Sequence, residues 1–155
     1  MNEKEIEVLL RRAIGPRFLG VFAADELPNH ISSSSPQPNC FIANTDPSSL
    51  GGSHWVAFYV LPDRRYEFFD SYAIDPLIYF PNSPLVLDSY PPHATNPKPL
   101  QRIDSSVCGH YCIYFLYLRS VAHQSLDSIV RSFNHFIHPD QIVKSFVEGL
   151  FKNKN

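Results

Sequence analysis

Two segments of the sequence contain the side-chain types that peptide hydrolysis by a thiol requires. Sulfur attack on an amide carbonyl needs a thiolate, a base, a group that orients the base, and hydrogen-bond donors for the oxyanion. Residues 51–70 and 101–112 together supply these four roles, which fall in that order on Cys108, His54, Asp70 and Gln101. This combination predicts the active site of a cysteine peptidase.

Cys108 is predicted to begin a long apolar helix, where unpaired backbone amides and the helix dipole favour a negatively charged sulfur. Gly109 beside it permits a substrate to approach the backbone closely. Cys112 lies one turn deeper in the same helix and Cys40 lies within an apolar strand, so both are predicted to be core residues. The nucleophile is therefore predicted to be Cys108.

His54 and Asp70 are predicted to meet across a β-hairpin. Residues 55–61 and 66–70 are rich in β-forming residues, and the intervening residues 62–65 (PDRR) favour a turn. In a hairpin folded about this turn, His54 lies roughly opposite residues 71–73, and Asp70 is a near neighbour across the ladder. Asp70 is therefore expected to accept a hydrogen bond from the imidazole and fix its tautomer.

Gln101 precedes Cys108 in a stretch that must bend back toward the helix start. Its amide is predicted to join the Cys108 backbone N–H in an oxyanion hole. Trp55 is expected to pack beside His54 without a chemical role. His110 is a poor alternative base because it points away from Cys108 along the helix, and the same geometry argues against a metal site.

Composition indicates one domain over residues 1–155. The chain is 44% hydrophobic, which is sufficient for a single buried core. Its three cysteines, together with a charged N-terminal segment that has no apolar targeting run, predict a reducing, intracellular compartment. A net charge of −2 gives no support for DNA binding, and no apolar run is long enough to cross a membrane. No cofactor or metal is expected.

The remaining pattern predicts helices and strands that surround the hairpin. Apolar spacing predicts a first helix over Glu3–Ile14, and two short strands are expected at residues 18–23 and 39–44. The Ser/Pro-rich residues 32–38 favour an exposed loop, and residues 76–99, with many prolines, favour an irregular surface segment. Helices are predicted from residue 106 onward and over 125–136 and 139–151. Their buried stripes are expected to contain Leu126, Ile129, Val130 and Phe133, then Ile142, Phe146 and Leu150.

Several of these segments resemble the adenain family of adenovirus proteases and the wider Ulp1-like group of cysteine proteases. The similar segments are residues 15–20 (GPRFLG), 40–45 (CFIANT), 51–58 (GGSHWVAF), and Gln101 with its spacing to 108–112 (CGHYC). The resemblance implies an α+β, papain-like/Ulp1-like fold, in which a mixed central sheet packs against helices. It also implies that His54, Asp70, Gln101 and Cys108 are the catalytic residues.

By the same resemblance, the substrates are precursor proteins of capsids or cores, cut at glycine-containing sites. It implies an origin in a virus or a virus-like transposon and a location in the host nucleus or the virion. The family binds an activating peptide through a cysteine located near Tyr90 of this chain, and none of the three cysteines here lies in that region. Two alternatives stay open: an isopeptidase acting on ubiquitin-like modifiers, as in deubiquitinases and SUMO proteases, and a non-catalytic binding module.

Overall fold

The computed structural model describes residues 1–29 and 38–153, which form an α+β structure with a mixed five-stranded sheet. The strands are β1 (Phe18–Phe22), β2 (Asn39–Asn44), β3 (Trp55–Val60), β4 (Tyr66–Phe69) and β5 (Ala94–Thr95). The α-helices within the described residues are α1 (Glu3–Ile14), α2 (Pro76–Tyr79), α3 (Pro84–Asp88), α4 (Cys108–Ser120), α5 (Leu126–Ser132) and α6 (Pro139–Lys152).

The sheet follows the order of the chain, β1-β2-β3-β4-β5. The two outer pairs, β1–β2 and β4–β5, are parallel, whereas β3 is antiparallel to both β2 and β4. The β3–β4 hairpin pairs Ala57 with Phe69 and Val60 with Tyr66, which confirms the predicted register. Continued toward the open end of the hairpin, this register brings His54 opposite Tyr72.

The sheet separates two hydrophobic cores. On one face, α1, α4, α5 and α6 cover strand residues such as Ile42, Ala57 and Phe69. On the other face, α2 and α3 cover Phe41 and Phe58, which stack with their ring centroids 4.7 Å apart. Burial on both faces explains why the central strands are apolar without alternation. Helix α4 lies inside the first core, so it too is apolar almost all round.

The prediction of an irregular segment at residues 76–99 was wrong, because the segment contains α2, α3 and β5. Each short helix begins with a proline that follows a capping side chain: Asp75 accepts from the N–H of Leu77, and Ser83 accepts from the N–H of Val86. Helices of four or five residues are too short to produce a visible apolar period. Of the predicted loop at 32–38, only Pro38 lies within the described residues.

The buried stripe predicted for the last helix was displaced by one residue. Val143 and Val147 are buried, whereas Ile142 is 40% exposed. Phe146 and Leu150 are half-buried at the edge of the stripe. The apolar face of this helix is broad enough to be centred either on the predicted residues or on Val143 and Val147. Packing against α4 buries Val143 and Val147. The expected stripe of α5 is confirmed, although the helix ends at Ser132 in a 3-10 turn.

Across the described residues, none of the helices combines the length and apolar character that a membrane span requires.

Candidate active site

Cys108 is the first residue of α4, and its side chain is almost buried, with a relative exposure of 8%. Burial by itself raises the pKa of a thiol. Three groups oppose this effect: His54 as hydrogen-bond partner and charge, the backbone N–H of Trp55, and the backbone N–H of Gly109. They prevail, so the pKa of Cys108 lies below its ordinary value.

His54 precedes β3 and donates from Nε2 to Oδ1 of Asp70 across a distance of 2.6 Å. Nδ1 is therefore the ring nitrogen left for Cys108. Burial lowers the pKa of the imidazole, but the hydrogen bonds and charges of Asp70 and Cys108 outweigh it and raise the pKa of His54 to about 9. The ring is thereby held in its charged form at neutral pH.

Asp70 directly follows β4, is 0% exposed, and accepts four hydrogen bonds. Oδ1 accepts from His54 and from the N–H of Tyr72 at 3.0 Å. Oδ2 accepts from the N–H of Ile74 at 3.1 Å and the hydroxyl of Tyr79 at 2.8 Å. Burial raises the pKa of a carboxyl group, but these donors and the charge of His54 hold the pKa of Asp70 below its usual value. A carboxylate is thus kept ionised in a buried position.

The Asp70 backbone is held by the side chain of Asn96, which follows β5. Oδ1 of Asn96 accepts from the Asp70 N–H at 3.1 Å, and its amide nitrogen donates to the Asp70 carbonyl at 2.6 Å. This side chain continues, by one residue, the backbone pairing of β4 with β5. The orientation of the Asp70 carboxylate is therefore fixed by hydrogen bonds to the Asp70 main chain as well as by those to the carboxylate oxygens.

Tyr72 covers the imidazole of His54, with ring centroids 4.8 Å apart and an interplanar angle of 27°. An aromatic face at this distance favours the protonated imidazole. The hairpin register had already placed the two residues opposite each other. The opposed pKa shifts of Cys108 and His54, together with this stacking, support a thiolate–imidazolium pair.

Gln101 is buried and lines the same cleft as Cys108. Its Oε1 accepts from the hydroxyl of Ser71 at 2.6 Å, and its Nε2 donates to the carbonyl of Ser105 at 3.0 Å. A side-chain amide has two N–H groups, so one donor of Gln101 is left for another acceptor. An oxyanion formed on a carbonyl bound to Cys108 is such an acceptor.

The cleft around these residues has a volume of about 350 Å³. It is lined by Met1, Gly52, Ser53, His54, Trp55, Tyr72, Gln101, Ser105, Ser106 and Cys108. Trp55 packs closely against Gly109, where a Cβ atom would lie 2.9 Å from the indole ring. Trp55 thus fills the packing role that its position predicts, and the indole ring is what approaches the Gly109 backbone closely.

Cys40 and Cys112, the two cysteines predicted to be core residues, differ from Cys108 in the direction of their pKa shifts. Burial raises the pKa of Cys40 to about 11 and places the pKa of Cys112 well above its ordinary value. His110 lies on α4, and its pKa is lowered by burial and by the positive charges of the N-terminus and Lys144. None of these groups belongs to the hydrogen-bonded chain of Cys108, His54 and Asp70. Among the residues that the structure describes, no cluster of His, Cys, Asp or Glu side chains is arranged to hold a metal ion.

Sequence reasoning missed Ser71, Tyr79 and Asn96 as parts of the site. Ser71 adjoins a predicted site residue, but its hydroxyl contacts a segment far along the chain. Tyr79 is the last residue of α2 and Asn96 directly follows β5, and neither of these short elements was predicted. The hairpin register was the one signal within the sequence that pointed to Tyr72.

No protein-family model matches the chain, and no curated protein matches it at a significant level. The geometry of the site therefore carries the functional argument.

Proposed function

We propose that this chain is a cysteine endopeptidase with a papain-like, Ulp1-like fold, in which Cys108 is the nucleophile. His54 is the base, Asp70 orients it, and Gln101 with the Cys108 backbone N–H binds the oxyanion. The observation that carries the proposal is the buried hydrogen-bonded chain in which the pKa of the thiol is lowered while that of the imidazole is raised to about 9. Buried structural cysteines show the opposite shift.

The reaction follows from the positions of the proton donors. The Cys108 thiolate attacks the peptide carbonyl, a C–S bond forms, and the carbonyl oxygen becomes an oxyanion that accepts from Gln101 and the Cys108 N–H. The tetrahedral intermediate then expels the amine, which takes the proton from His54. A water molecule loses a proton to His54 and attacks the thioester, which releases the carboxylic acid and restores the thiolate–imidazolium pair.

The proposed substrates are precursor proteins of a virus or virus-like transposon, cut at glycine-containing sites. The family resemblance is the basis for this substrate class. The proposed fold is supported by the arrangement in which the helix bearing Cys108 packs on the hairpin that carries His54 and Asp70.

Alkylation by iodoacetamide between about pH 5 and pH 9 tests the proposed thiolate, with each site followed by mass spectrometry. Cys108 of the wild type is expected to label rapidly well below the ordinary thiol pKa, and His54→Ala is expected to remove this advantage. Cys40 and Cys112 serve as internal controls, because both are expected to label slowly. Slow labelling of Cys108, equal to that of the two control cysteines, would contradict the proposal.

Peptide mixtures digested by the wild type and by Cys108→Ala then identify the cleavage sites. New peptide ends that follow glycine, produced by the wild type alone, are the expected result. A ubiquitin-like modifier with an electrophile at its C-terminus provides the matched comparison. Rapid modification by this probe without cleavage of any peptide would instead favour an isopeptidase.

A further inference from the structure

The residue that follows the proposed acid also contacts the proposed oxyanion donor. Ser71 is buried, and its hydroxyl donates to Oε1 of Gln101 at 2.6 Å. The carbonyl of Ser71 accepts from the N–H of Leu100 at 2.8 Å and from the N–H of Gln101 at 3.1 Å. Ser71 therefore holds both the main chain and the side chain of Gln101.

Two contacts together fix the direction of the Gln101 amide. The carbonyl of Ser105 can only accept, so it requires the nitrogen end of the amide on its side. The Ser71 hydroxyl then donates to the oxygen end. The terminal torsion of a glutamine has a broad energy profile and is otherwise poorly defined. With both ends held, the second N–H of Gln101 keeps one direction. Gln101 lines the cleft together with Cys108.

We propose that Ser71 is a positioning residue that aims the Gln101 amide at the oxyanion. The inference rests on the proposed function and deepens it, since two consecutive residues then orient two different parts of the site. Asp70 orients the base, and Ser71, the next residue, orients the oxyanion donor. Loss of the hydroxyl leaves Oε1 of Gln101 without its donor and frees the amide to rotate.

The test measures steady-state hydrolysis of the p-nitrophenyl ester of N-acetylglycine by the wild type and Ser71→Ala. Because an oxyanion donor acts in the transition state, kcat and kcat/KM are expected to fall together by about 10- to 100-fold, with KM unchanged. Alkylation of Cys108 by iodoacetamide forms no oxyanion, so its rate and pH dependence are expected to match the wild type. A general loss of structure would reduce both reactions.

Three matched variants separate orientation from packing. Ser71→Thr keeps the hydroxyl and is expected to recover most of the activity. Ser120→Ala removes an equally buried serine far from the cleft and is expected to leave kcat unchanged. In a Gln101→Ala background, Ser71→Ala is expected to produce no further loss of kcat, because its effect passes through the Gln101 amide.

The outcomes also distinguish this inference from the proposed function. A wild type that hydrolyses the ester and is equalled by Ser71→Ala would overturn the positioning role and leave the peptidase proposal intact. A full additional loss in the Gln101→Ala background would overturn it as well. Absence of His54-dependent alkylation and of hydrolysis in the wild type would overturn the proposed function, and the positioning role with it.

Discussion

The substitution Asp70→Asn removes one negative charge and replaces one acceptor oxygen with an NH₂ group. The orientation of least cost keeps the amide oxygen on the side of His54 and Tyr72. The NH₂ group then faces the hydroxyl of Tyr79, which can turn to accept, and the N–H of Ile74, which cannot. One backbone donor loses its partner, so the free energy of unfolding is expected to fall by about 1–3 kcal/mol.

The effect on catalysis follows from the pKa of His54. Its rise from 6.5 to about 9 corresponds to about 3 kcal/mol in favour of the imidazolium, and Asp70 supplies part of this together with Cys108. Without the carboxylate charge, the pKa of His54 is expected to fall by at least about one unit. The pKa of Cys108 is expected to rise, because its thiolate is stabilised by a charged His54.

The pH range in which the thiolate–imidazolium pair exists therefore has an acid limit and an alkaline limit. The thiolate–imidazolium pair exists above the pKa of Cys108 and is lost as the pH rises through that of His54. Asp70→Asn narrows this range from both sides. The acid limb is read from the pH dependence of iodoacetamide alkylation at Cys108. The alkaline limb is read from hydrolysis of the p-nitroanilide of N-acetylglycine, an amide whose amine leaving group takes its proton from His54.

Urea unfolding followed by fluorescence measures the stability change. Asp127→Asn is the matched control, because Asp127 is exposed and forms an i,i+4 ion pair with Arg131 at the surface. The stability and the pH profile of this variant are expected to match those of the wild type closely. If Asp70→Asn kept the same alkaline limb and the same unfolding free energy as the wild type, the argument that Asp70 holds His54 in its charged form would be refuted.

Three further substitutions test other parts of the site. Cys108→Ala is expected to abolish ester and peptide hydrolysis while its thermal unfolding stays close to that of the wild type; residual turnover would place the nucleophile elsewhere. Gly109→Ala is expected to lower the unfolding free energy by about 1–3 kcal/mol in urea, because the new methyl group meets the Trp55 ring. Gly149→Ala, with no atom within 4 Å of the new methyl group, should instead be neutral or stabilising, and equal losses in the two variants would contradict the packing argument. Asn96→Ala leaves the backbone N–H and carbonyl of Asp70 unpaired, so the free energy of unfolding is expected to fall by about 2 kcal/mol or more. The pH at which hydrolysis declines on the alkaline side is also expected to fall. If that pH were unchanged, the backbone contacts would not orient the carboxylate.

The pairing of His54 with Asp70 was predictable because both residues belong to one hairpin. Their register depends on a single turn, and residues 62–65 contain the turn chemistry that sets it. The approach of Cys108 to His54 has a different origin, since it depends on α4 packing against the sheet. No rule of local sequence gives that packing. It was indicated by the set of residue types that thiol hydrolysis requires and by the family resemblance.

The hydrogen bonds that orient the site were beyond sequence reasoning for a physical reason. Ser71 reaches Gln101, and Asn96 reaches Asp70, through side chains that join segments about 25 to 30 residues apart. Such contacts leave no periodicity in the sequence. They depend on the fold of the segment between β4 and α4, whose short helices were themselves not predictable.

Helix α4 contains an internal test of the origin of the thiolate. Cys108 and Cys112 lie one turn apart on the same helix, and both are buried. Burial alone raises the pKa of a thiol, and the pKa of Cys112 is raised accordingly, with the negative charges of Cys108 and Asp70 adding to the effect. Cys108 differs in that it faces His54 and the free N–H groups at the helix start, and its pKa is lowered. The thiolate is therefore a property of this one position, and an electrophile should distinguish the two cysteines as long as His54 is present.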